Sequence, residues 1–441
     1  MTEVRNNNRI KRAYFISLLV LCGAVLFFTA HVMANGVLLE SIGTMSTGRG
    51  ATNIAYSDNG TMVYDNPAGL AHLTKDTMEF STEFLSFSMH YKDPQNDEEG
   101  SEPVCILPSL FYMKHFNDRP LGIGVGIFSS AGYSTEYDLS HPLYGTQDYS
   151  SYSSLSKILI GAGYKINDHL SVGLSVGPSY SKVELKLPYT FQTDPLAQIP
   201  VPALIDLKAD GWSYTWNIGA QWDISAQSTV GIIYKSKDLF DMQGDLDMDI
   251  PALAAQTSDT SAHYDLDFDF KWPQSVGVGV LQRLTEKHRL SFDCIWIDWS
   301  SAFDKVVLKL SKGDNDYYNT NPLVGTSPRD TLPLDWKDSY SFRLGYEQLL
   351  TPKDTLRCGY LYSQSPVPDR TLTPLIPGIL NHMISVGYSR EIKNWRLSVA
   401  YLYAFCSKQS VEESAIIGDD FDASSVKESL HCVSVGVAYQ L

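Results

Sequence analysis

This chain lacks a second long apolar run. One continuous apolar stretch, from Ala13 to Ala30, lies near the N-terminus, and no run of about 18 apolar residues recurs after Ala34. A helix needs about 20 such residues to cross a bilayer, so any crossing by the rest of the chain must use β-strands. Helix-period patterns are also scarce, which excludes a helical layer over a sheet.

The N-terminus is typical of a secretory signal peptide. Basic residues between Arg5 and Arg12 precede the apolar stretch, and Val32-Met33-Ala34 forms a small-residue cleavage site. We therefore expect residues 1–34 to be removed, which leaves Asn35 first. The alternative is an uncleaved anchor.

The chain has few cysteines, and its acidic residues outnumber its basic ones. The five cysteines after Ala34 are scattered and show no CxxC spacing, so neither a zinc site nor a redox motif is predicted. The net charge of −16 argues against a nucleic-acid partner, because phosphates need Lys and Arg. The histidines form no HExxH and no P-loop occurs, so no metal, no cofactor and no energy source is expected.

One motif has the form of a catalytic motif. Gly173-Leu174-Ser175-Val176-Gly177 matches the G-x-S-x-G nucleophile elbow. That elbow needs a strand, a strained turn and a helix, whereas this segment lies inside an alternating strand and is followed by Pro178. We interpret the match as accidental and expect no enzyme, and an esterase or lipase that uses Ser175 is the alternative.

What the chain does have is alternation of apolar and polar residues. The clearest strand carries Trp212, Tyr214, Trp216, Ile218, Ala220 and Trp222 on one face, with small and polar residues on the other. A water-soluble sheet rarely exposes such a face, but lipid can cover it. Aromatic residues make up 12% of the chain, as suits the aromatic girdles of a membrane barrel.

Long and short connections alternate along the chain between these segments. The predicted strands are 78–91, 106–116, 120–131, 152–165, 169–186, 209–224, 228–248, 262–284, 287–310, 336–350, 353–364, 380–392, 395–408 and 428–441. Their number and connections predict an all-β fold, a fourteen-stranded antiparallel transmembrane β-barrel over residues 76–441 in the outer membrane of a Gram-negative-type bacterium. Both termini fall on the short-turn, periplasmic side. Basic residues on the inward faces are Arg343, Arg357, Arg396, Lys157 and Lys235.

Residues 35–75 do not fit the strand pattern. The segment is rich in glycine and too poor in apolar residues to build its own core. A fourteen-strand barrel is too wide for its own side chains to fill, since eight strands already do so. We predict that residues 35–75 form an N-terminal hatch (plug) inside the lumen, and a disordered periplasmic tail is the alternative.

Two predicted loops are apolar. Phe191, Leu196, Ile199, Val201 and Leu204 lie in one, and Ile250 and Leu253 in the next. Exposed apolar loops either pack on each other or bind apolar ligands, and the two readings are equally favoured. Nearby, Asp245, Asp247 and Asp249 face Asp265, Asp267 and Asp269, a set that we interpret as a hydrated acidic face rather than a divalent-cation site.

These residues resemble the FadL-type outer-membrane transporters of long-chain fatty acids and other hydrophobic compounds. The segments that carry the resemblance are Gly48-Arg49-Gly50-Ala51 and Asp65-Asn66-Pro67-Ala68-Gly69-Leu70-Ala71 in the hatch, then Gly211–Lys237, Ile295–Lys305, Asp335–Gln348 and Pro366–Ser389. The resemblance implies a barrel plugged by a hatch, with passive uptake of ligand from apolar outer loops into a lumen pocket. It places Asn35, Gly36 and Val37 at that pocket, and a lateral exit at Gly122, Gly124, Gly126 and Gly132.

The partners expected on this basis are a hydrophobic small molecule, outer-membrane lipid and lipopolysaccharide, and the barrel assembly machinery. A monomer is expected, and a general porin is the second alternative. Cys406 and Cys432 are predicted to lie at similar height on neighbouring strands and to face inward. They form either a disulfide bond or two unpaired thiols.

Overall fold

The computed structural model describes residues 37–101, 104–199, 201–376, 378–418 and 421–441. The predicted signal peptide, Asn35 and Gly36 lie outside these ranges. The strands are β1 (Thr77–Lys92), β2 (Asp97–Glu99), β3 (Cys105–His115), β4 (Leu121–His141), β5 (Gly145–Lys165), β6 (Leu170–Tyr189), β7 (Ala203–Ser225), β8 (Ser228–Lys235), β9 (Asp238–Asp249), β10 (Ser261–Trp272), β11 (Ser275–Arg283), β12 (His288–Ile297), β13 (Lys305–Ser311), β14 (Arg329–Pro333), β15 (Ser339–Thr351), β16 (Asp354–Ser363), β17 (His382–Ile392), β18 (Trp395–Phe405), β19 (Gln409–Ser410) and β20 (Ser425–Gln440).

Helices are few and short. They are α1 (Thr44–Gly48), α2 (Met62–Asp65), α3 (Trp299–Ala302) and α4 (Asp316–Thr320), together with 3-10 turns at Pro67–His72, Leu196–Gln198, Pro251–Leu253 and Asp369–Thr371. Within the described ranges, no helix has the length and apolar character needed to cross a membrane.

Fourteen of the strands close into one antiparallel ring. Its order is β1, β3, β4, β5, β6, β7, β8, β11, β12, β15, β16, β17, β18 and β20. The ring closes where β1 pairs with β20, from Thr77 opposite Gln440 to Lys92 opposite Ser425. The predicted fourteen-stranded barrel is confirmed.

The faces of the strands follow the predicted alternation. Trp212 and Tyr214 on β7 expose 64% and 79% of their surface. Inward basic residues are enclosed instead: Lys157, Arg343 and Arg357 are buried. Outward apolar and inward polar positions are the pattern that a barrel needs when lipid surrounds it.

Both ends of the barrel lie beside the short turns. The backbone N–H of Leu441 donates to the carbonyl of Asp76 at 2.9 Å, and that of Gln440 donates to Asn394 in a short turn at 2.8 Å. Asp76 directly precedes β1, so the first and last strands begin and end at the same rim. The predicted placement of the short turns is confirmed.

Three long predicted strands are interrupted. The predicted strand 228–248 breaks between β8 and β9, and 262–284 breaks at Pro273 between β10 and β11. Both breaks lie at one height, because Trp272 pairs with Asp238 and Ser275 with Lys235. Proline has no N–H to donate to a ladder, which explains the break at Pro273.

Beyond the breaks the wall continues as a separate extension. It consists of the upper part of β7 followed by β9, β10, β13 and β14. The predicted strand 287–310 likewise ends at Ile297, turns through α3 and resumes as β13.

A further difference concerns the predicted loop 132–151. It is a hairpin in which β4 and β5 stay paired as far as His141 and Gly145. Most of its residues are polar or tyrosine, with Leu139 and Leu143 as its aliphatic side chains, which is why the apolar pattern missed it.

Cys406 and Cys432 are both free thiols. The strand register separates them: Cys432 pairs with Leu402 on β18, whereas the Sγ atom of Cys406 donates to the carbonyl of Glu428 at 3.2 Å. Both side chains are buried, as suits the predicted inward facing, but the predicted similar height is wrong because Trp395 lies opposite Tyr439 rather than Leu441.

Candidate functional site

The N-terminal segment from residue 37 to residue 75, here called the hatch, contacts inward-facing side chains around the barrel. Hydroxyl pairs join Thr44 to Ser434 on β20 at 2.9 Å and Thr52 to Ser291 on β12 at 2.7 Å. Ser57 donates to Gln221 on β7 at 2.8 Å. These strands lie on different sides of the ring, so the segment spans the lumen.

Arg49 organises the hatch from within. It is fully buried, and its guanidinium donates to both carboxylate oxygens of Asp58 at 2.7 and 2.9 Å. Further bonds reach the carbonyl of Thr52 and the side-chain oxygen of Asn53, and the Tyr56 ring lies 3.5 Å from the guanidinium carbon. A bidentate, fully partnered arginine fixes the loop around it.

The Asn66-Pro67-Ala68-Gly69 motif caps a turn and touches the wall. The Asn66 side chain accepts from the N–H of Ala68 at 3.2 Å, and its amide donates to the carbonyls of Ile54 at 2.8 Å and Ala220 on β7 at 3.2 Å. Pro67 then begins the 3-10 turn, where its missing N–H leaves no donor unpaired.

Glycines that face inward from the barrel wall leave room for the hatch. A Cβ atom on Gly173 would lie 2.2 Å from the carbonyl carbon of Pro67, and one on Gly359 would lie 2.1 Å from the N atom of Gly50. Among the predicted exit residues, Gly122 and Gly124 have the same role, because Leu70 packs directly against them. These positions bring the hatch backbone close to the wall.

Ser175 belongs to this hatch contact. Its hydroxyl is buried on β6 and donates to the carbonyl of Val63 at 2.7 Å. The strand runs on through Gly177 and Pro178 without a turn or helix, opposite Asn217 and Thr215 on β7. The residue therefore anchors the hatch in a strand, which is not the geometry of a nucleophile elbow.

Above the hatch lies an apolar cavity, here called the lumen cavity, with about 70 Å³ of space for the centre of a water-sized sphere. Val37 is one of the residues that line it. The other lining residues are Leu38, Leu39, Glu40, Ser41, Glu83, Leu85, Phe87, Met89, Gly132, Tyr133, Ser134, Thr135, Gly378, Leu380, Met383, Leu402, Glu428, Leu430 and Cys432.

One wall of this cavity is closed by a hydrogen-bonded segment, Val37–Leu39, here called the gate. Leu38 forms an antiparallel bridge with Ala131 on β4. The N–H of Leu39 donates to Ser130 and that of Gly132 donates to Val37, both at 3.1 Å. A β-bulge between Ser129 and Ala131 bends β4 here and makes room for the gate.

The gate lies where the barrel ladder is incomplete. Among the described residues, β3 and β4 pair only from Leu110–Ile127 to His115–Gly122. Above Leu110, β3 pairs with β1 alone, and above Ile127 the ladder of β4 is with β5. Of the predicted exit glycines, Gly132 is the one at this gap. Gly126 lies at its lower edge, and a Cβ there would meet Phe111 at 2.8 Å.

The apolar loop residues pack together rather than facing water. Phe191, Leu196, Ile199 and Ile250 are buried in one apolar cluster, with Val201 and Leu253 packed on its surface. This loop cluster also contains Val37 and Met89, which line the lumen cavity. Leu204 points to the other face of β7, beside an open acidic cleft. In this structure the loops pack on each other, and the cluster that they form reaches the cavity.

The acidic residues of the extension include a histidine that the sequence reading missed. Asp245 pairs with Asp265 across β9 and β10, and oxygen and nitrogen atoms of these two residues and His263 lie within 4.8 Å of one another. His263 bonds Asp247 at 2.7 Å, and this bond raises the pKa of the imidazole. Lys312 contacts Asp265. The exposed positions and internal pairing agree with a hydrated acidic face.

Three glutamates of the lumen cavity were also missed. Glu40 comes from the hatch, Glu83 from β1 and Glu428 from β20. Each lies far from the others in the chain, so no local motif marks them. The available signal was an acidic residue at an inward position of an apolar strand, as at Glu83 between Ser81 and Leu85.

Comparisons with known proteins agree with this architecture. The family model described as outer membrane protein transport protein (OMPP1/FadL/TodX) matches residues 25–441. The chain is 24% identical to an outer membrane protein of Neisseria meningitidis over 94% of this chain and 96% of that protein. It is 22% identical to a long-chain fatty acid transport protein of Escherichia coli, covering 89% and 88%. The crystal structure of the toluene transporter TodX of Pseudomonas putida superposes with a TM-score of 0.75 at 18% identity, covering 91% and 99%.

Proposed function

Since the chain belongs to the OMPP1/FadL/TodX family of outer membrane transport proteins, we propose that it is a passive uptake channel for long-chain fatty acids or other hydrophobic small molecules. The observation that carries this proposal is the apolar lumen cavity between the loop cluster and the hatch. Burying each methylene gains about 0.8 kcal/mol, so such a cavity holds an apolar ligand well.

Capture takes place at the loop cluster. Phe191, Leu196, Ile199, Val201, Ile250 and Leu253 form or cover it, and Val37 extends it to the cavity. Ligand enters when the packed loops separate, because the cluster is closed in this structure. Leu204 contributes from the rim of the acidic cleft and lies farther from the route.

Release requires the gate to move. The gate is held by two backbone hydrogen bonds to β4 at the gap beside Gly132. Breaking them opens the cavity toward the lipid between β3 and β4. The alternative to this exit is a path past the hatch to the periplasmic rim, where a cavity is lined by Asp58, His72 and Arg396, and uptake that persists with the gate locked would favour it.

The domain division follows from this mechanism. Residues 1–34 are the signal peptide, residues 35–75 are the hatch and residues 76–441 are the barrel. The hatch motif residues Gly48, Arg49, Gly50, Asn66, Pro67, Ala68 and Gly69 hold the hatch in shape and against the wall.

Further partners are proposed on general grounds. The aromatic and aliphatic outer face meets lipid and lipopolysaccharide, and β20, which closes the ring with β1, is the proposed contact of the barrel assembly machinery. The barrel closes on itself without a partner strand, which supports a monomer.

The rival functions fit less well. A general porin needs an open aqueous lumen, whereas the hatch bonds to walls on several sides. An esterase needs an accessible nucleophile, whereas the Ser175 hydroxyl is bound to a backbone carbonyl.

Uptake of a radiolabelled alkanol by cells that lack a related transporter tests the proposal. Cells that express the chain should accumulate tetradecanol but not glucose. Leu402→Trp fills the cavity and should lower uptake about tenfold, since overfilling a packed site costs about 1–3 kcal/mol. Val399→Trp on the lipid face of the same strand is the control. Equal uptake in both variants would refute the cavity as the route.

A further inference from the structure

The lumen cavity has acidic lining residues and no basic ones. Three glutamates line it, Glu40, Glu83 and Glu428, and no Lys, Arg or His is found among its described lining residues. Cavities that bind an apolar chain with an anionic end need a cation or several N–H donors for that end. This lining shows the opposite arrangement.

Glu40 is neutralised by Arg343. Its carboxylate accepts from Arg343 at 2.6 Å and from the hydroxyl of Ser363 at 3.0 Å. A second cavity, which shares Leu38–Glu40 with the lumen cavity, is lined by Arg343 and Lys235. Lys235 pairs with Asp65 at 3.3 Å and lies 3.4 Å from the centre of the Tyr64 ring. These two cations are therefore already engaged by carboxylates.

Glu83 and Glu428 remain without a cation. They are 3% and 6% exposed. Thr47 donates its hydroxyl to Glu83 at 2.9 Å, and the N–H of Ile379 donates to Glu428 at 3.4 Å. In the part of the chain that the structure describes, neither carboxylate has a Lys, Arg or His within 4.0 Å.

At a pH at which Glu83 and Glu428 are ionised, this lining repels an anionic ligand. Two unit charges of the same sign 4 Å apart cost about 4 kcal/mol at an effective dielectric constant near 20, and the anion would also lose its hydration. An alcohol meets no such penalty. The neutral polar groups of the lining are the hydroxyls of Ser41, Tyr133, Ser134 and Thr135, which can donate or accept a hydrogen bond.

We infer that the lumen cavity selects uncharged apolar compounds, such as hydrocarbons and long-chain alcohols, and rejects long-chain carboxylates. The inference rests on the proposed function and narrows its ligand class. Glu83 and Glu428 are the residues that determine this specificity, since an unpaired like charge discriminates between ligands of equal length.

Three ligands of one chain length test it: tetradecane, tetradecanol and tetradecanoate. Equilibrium binding of each to the purified full chain in neutral, uncharged detergent is measured at pH 8, where the fatty acid is ionised. The wild type should bind tetradecanol at least about tenfold more tightly than tetradecanoate, which corresponds to about 1.4 kcal/mol of discrimination. The Glu83→Gln/Glu428→Gln variant should lose most of that preference.

The comparison of variants cancels the different partitioning of the ligands into micelles. Glu136→Gln is the matched control: it removes one charge beside the lining residue Thr135 but from the exposed face of β4, and it should keep the wild-type preference. Tetradecanoate bound as tightly as tetradecanol, or a preference unchanged by the double variant, would overturn this inference alone. Failure of all three ligands to bind would refute the cavity, and with it the proposed function.

Discussion

At the scale of single residues, the lumen contains buried charges of two kinds. Arg49 is paired on every side, with Asp58, Asn53 and Thr52, whereas Glu83 has only a hydroxyl partner among side chains. Paired charges hold a structure in one shape, and an unpaired one influences what is bound next to it. Inward positions were predictable from the period of two, but the partners were not, because they lie on strands distant in the chain.

Replacing Arg49 tests its structural role. Arg49→Met should destabilise the docked hatch by about 3–5 kcal/mol, since it leaves the Asp58 carboxylate without its cation. The expected readout is a higher ion conductance of the variant in planar bilayers. The double variant Arg49→Met/Asp58→Asn also removes the carboxylate charge that has lost its cation. Its ion conductance should therefore return most of the way to the wild-type value. A single variant as tightly closed as the wild type would contradict this role.

At the scale of elements, the hatch and the wall fit by close backbone approach. Sequence alternation predicted the strands and short turns, and glycine content with low apolar content predicted a hatch. The breaks near Ser236 and Pro273 could not be read in the same way, because alternation continues across them. The sequence could not decide whether the apolar loops pack on each other or bind a ligand, because apolar residues suit a shared core and a ligand site equally well.

Inward glycines offer a test of the contact between the two elements. Gly173→Val places side-chain atoms where Pro67 and Ala68 lie, so the 3-10 turn of the hatch must move. We expect a closed barrel with raised ion conductance, because the strand ladder itself is unchanged. Leu174→Ala, one residue away on the lipid face, should conduct like the wild type. Conductance that stays low in Gly173→Val would show that the turn does not block the lumen.

At the scale of the whole molecule, the parts form one route through a plugged barrel. The loop cluster reaches Val37, Val37 and Met89 line the lumen cavity, and the gate separates that cavity from the gap between β3 and β4. The number of strands and the position of the termini were predictable from the lengths of the connections. The gap was not, because it depends on which strands pair and not on what each strand contains.

The most direct measurement locks the gate. Leu38 and Ala131 lie opposite each other in an antiparallel bridge, and the hydrogen bonds on either side of it are formed by their chain neighbours. In such a non-hydrogen-bonded pair the two side chains come closest, so two cysteines at these positions can form a disulfide. The Leu38→Cys/Ala131→Cys variant is made in a Cys105→Ser background. Tetradecanol uptake by cells that express it is measured before and after a reductant is added. Each single variant serves as a control for the substitution itself. Uptake of tetradecanol should be low while the disulfide is intact. It should return to the level of the single variants when the disulfide is reduced. Undiminished uptake with the bond formed would contradict passage through a cavity closed by this gate.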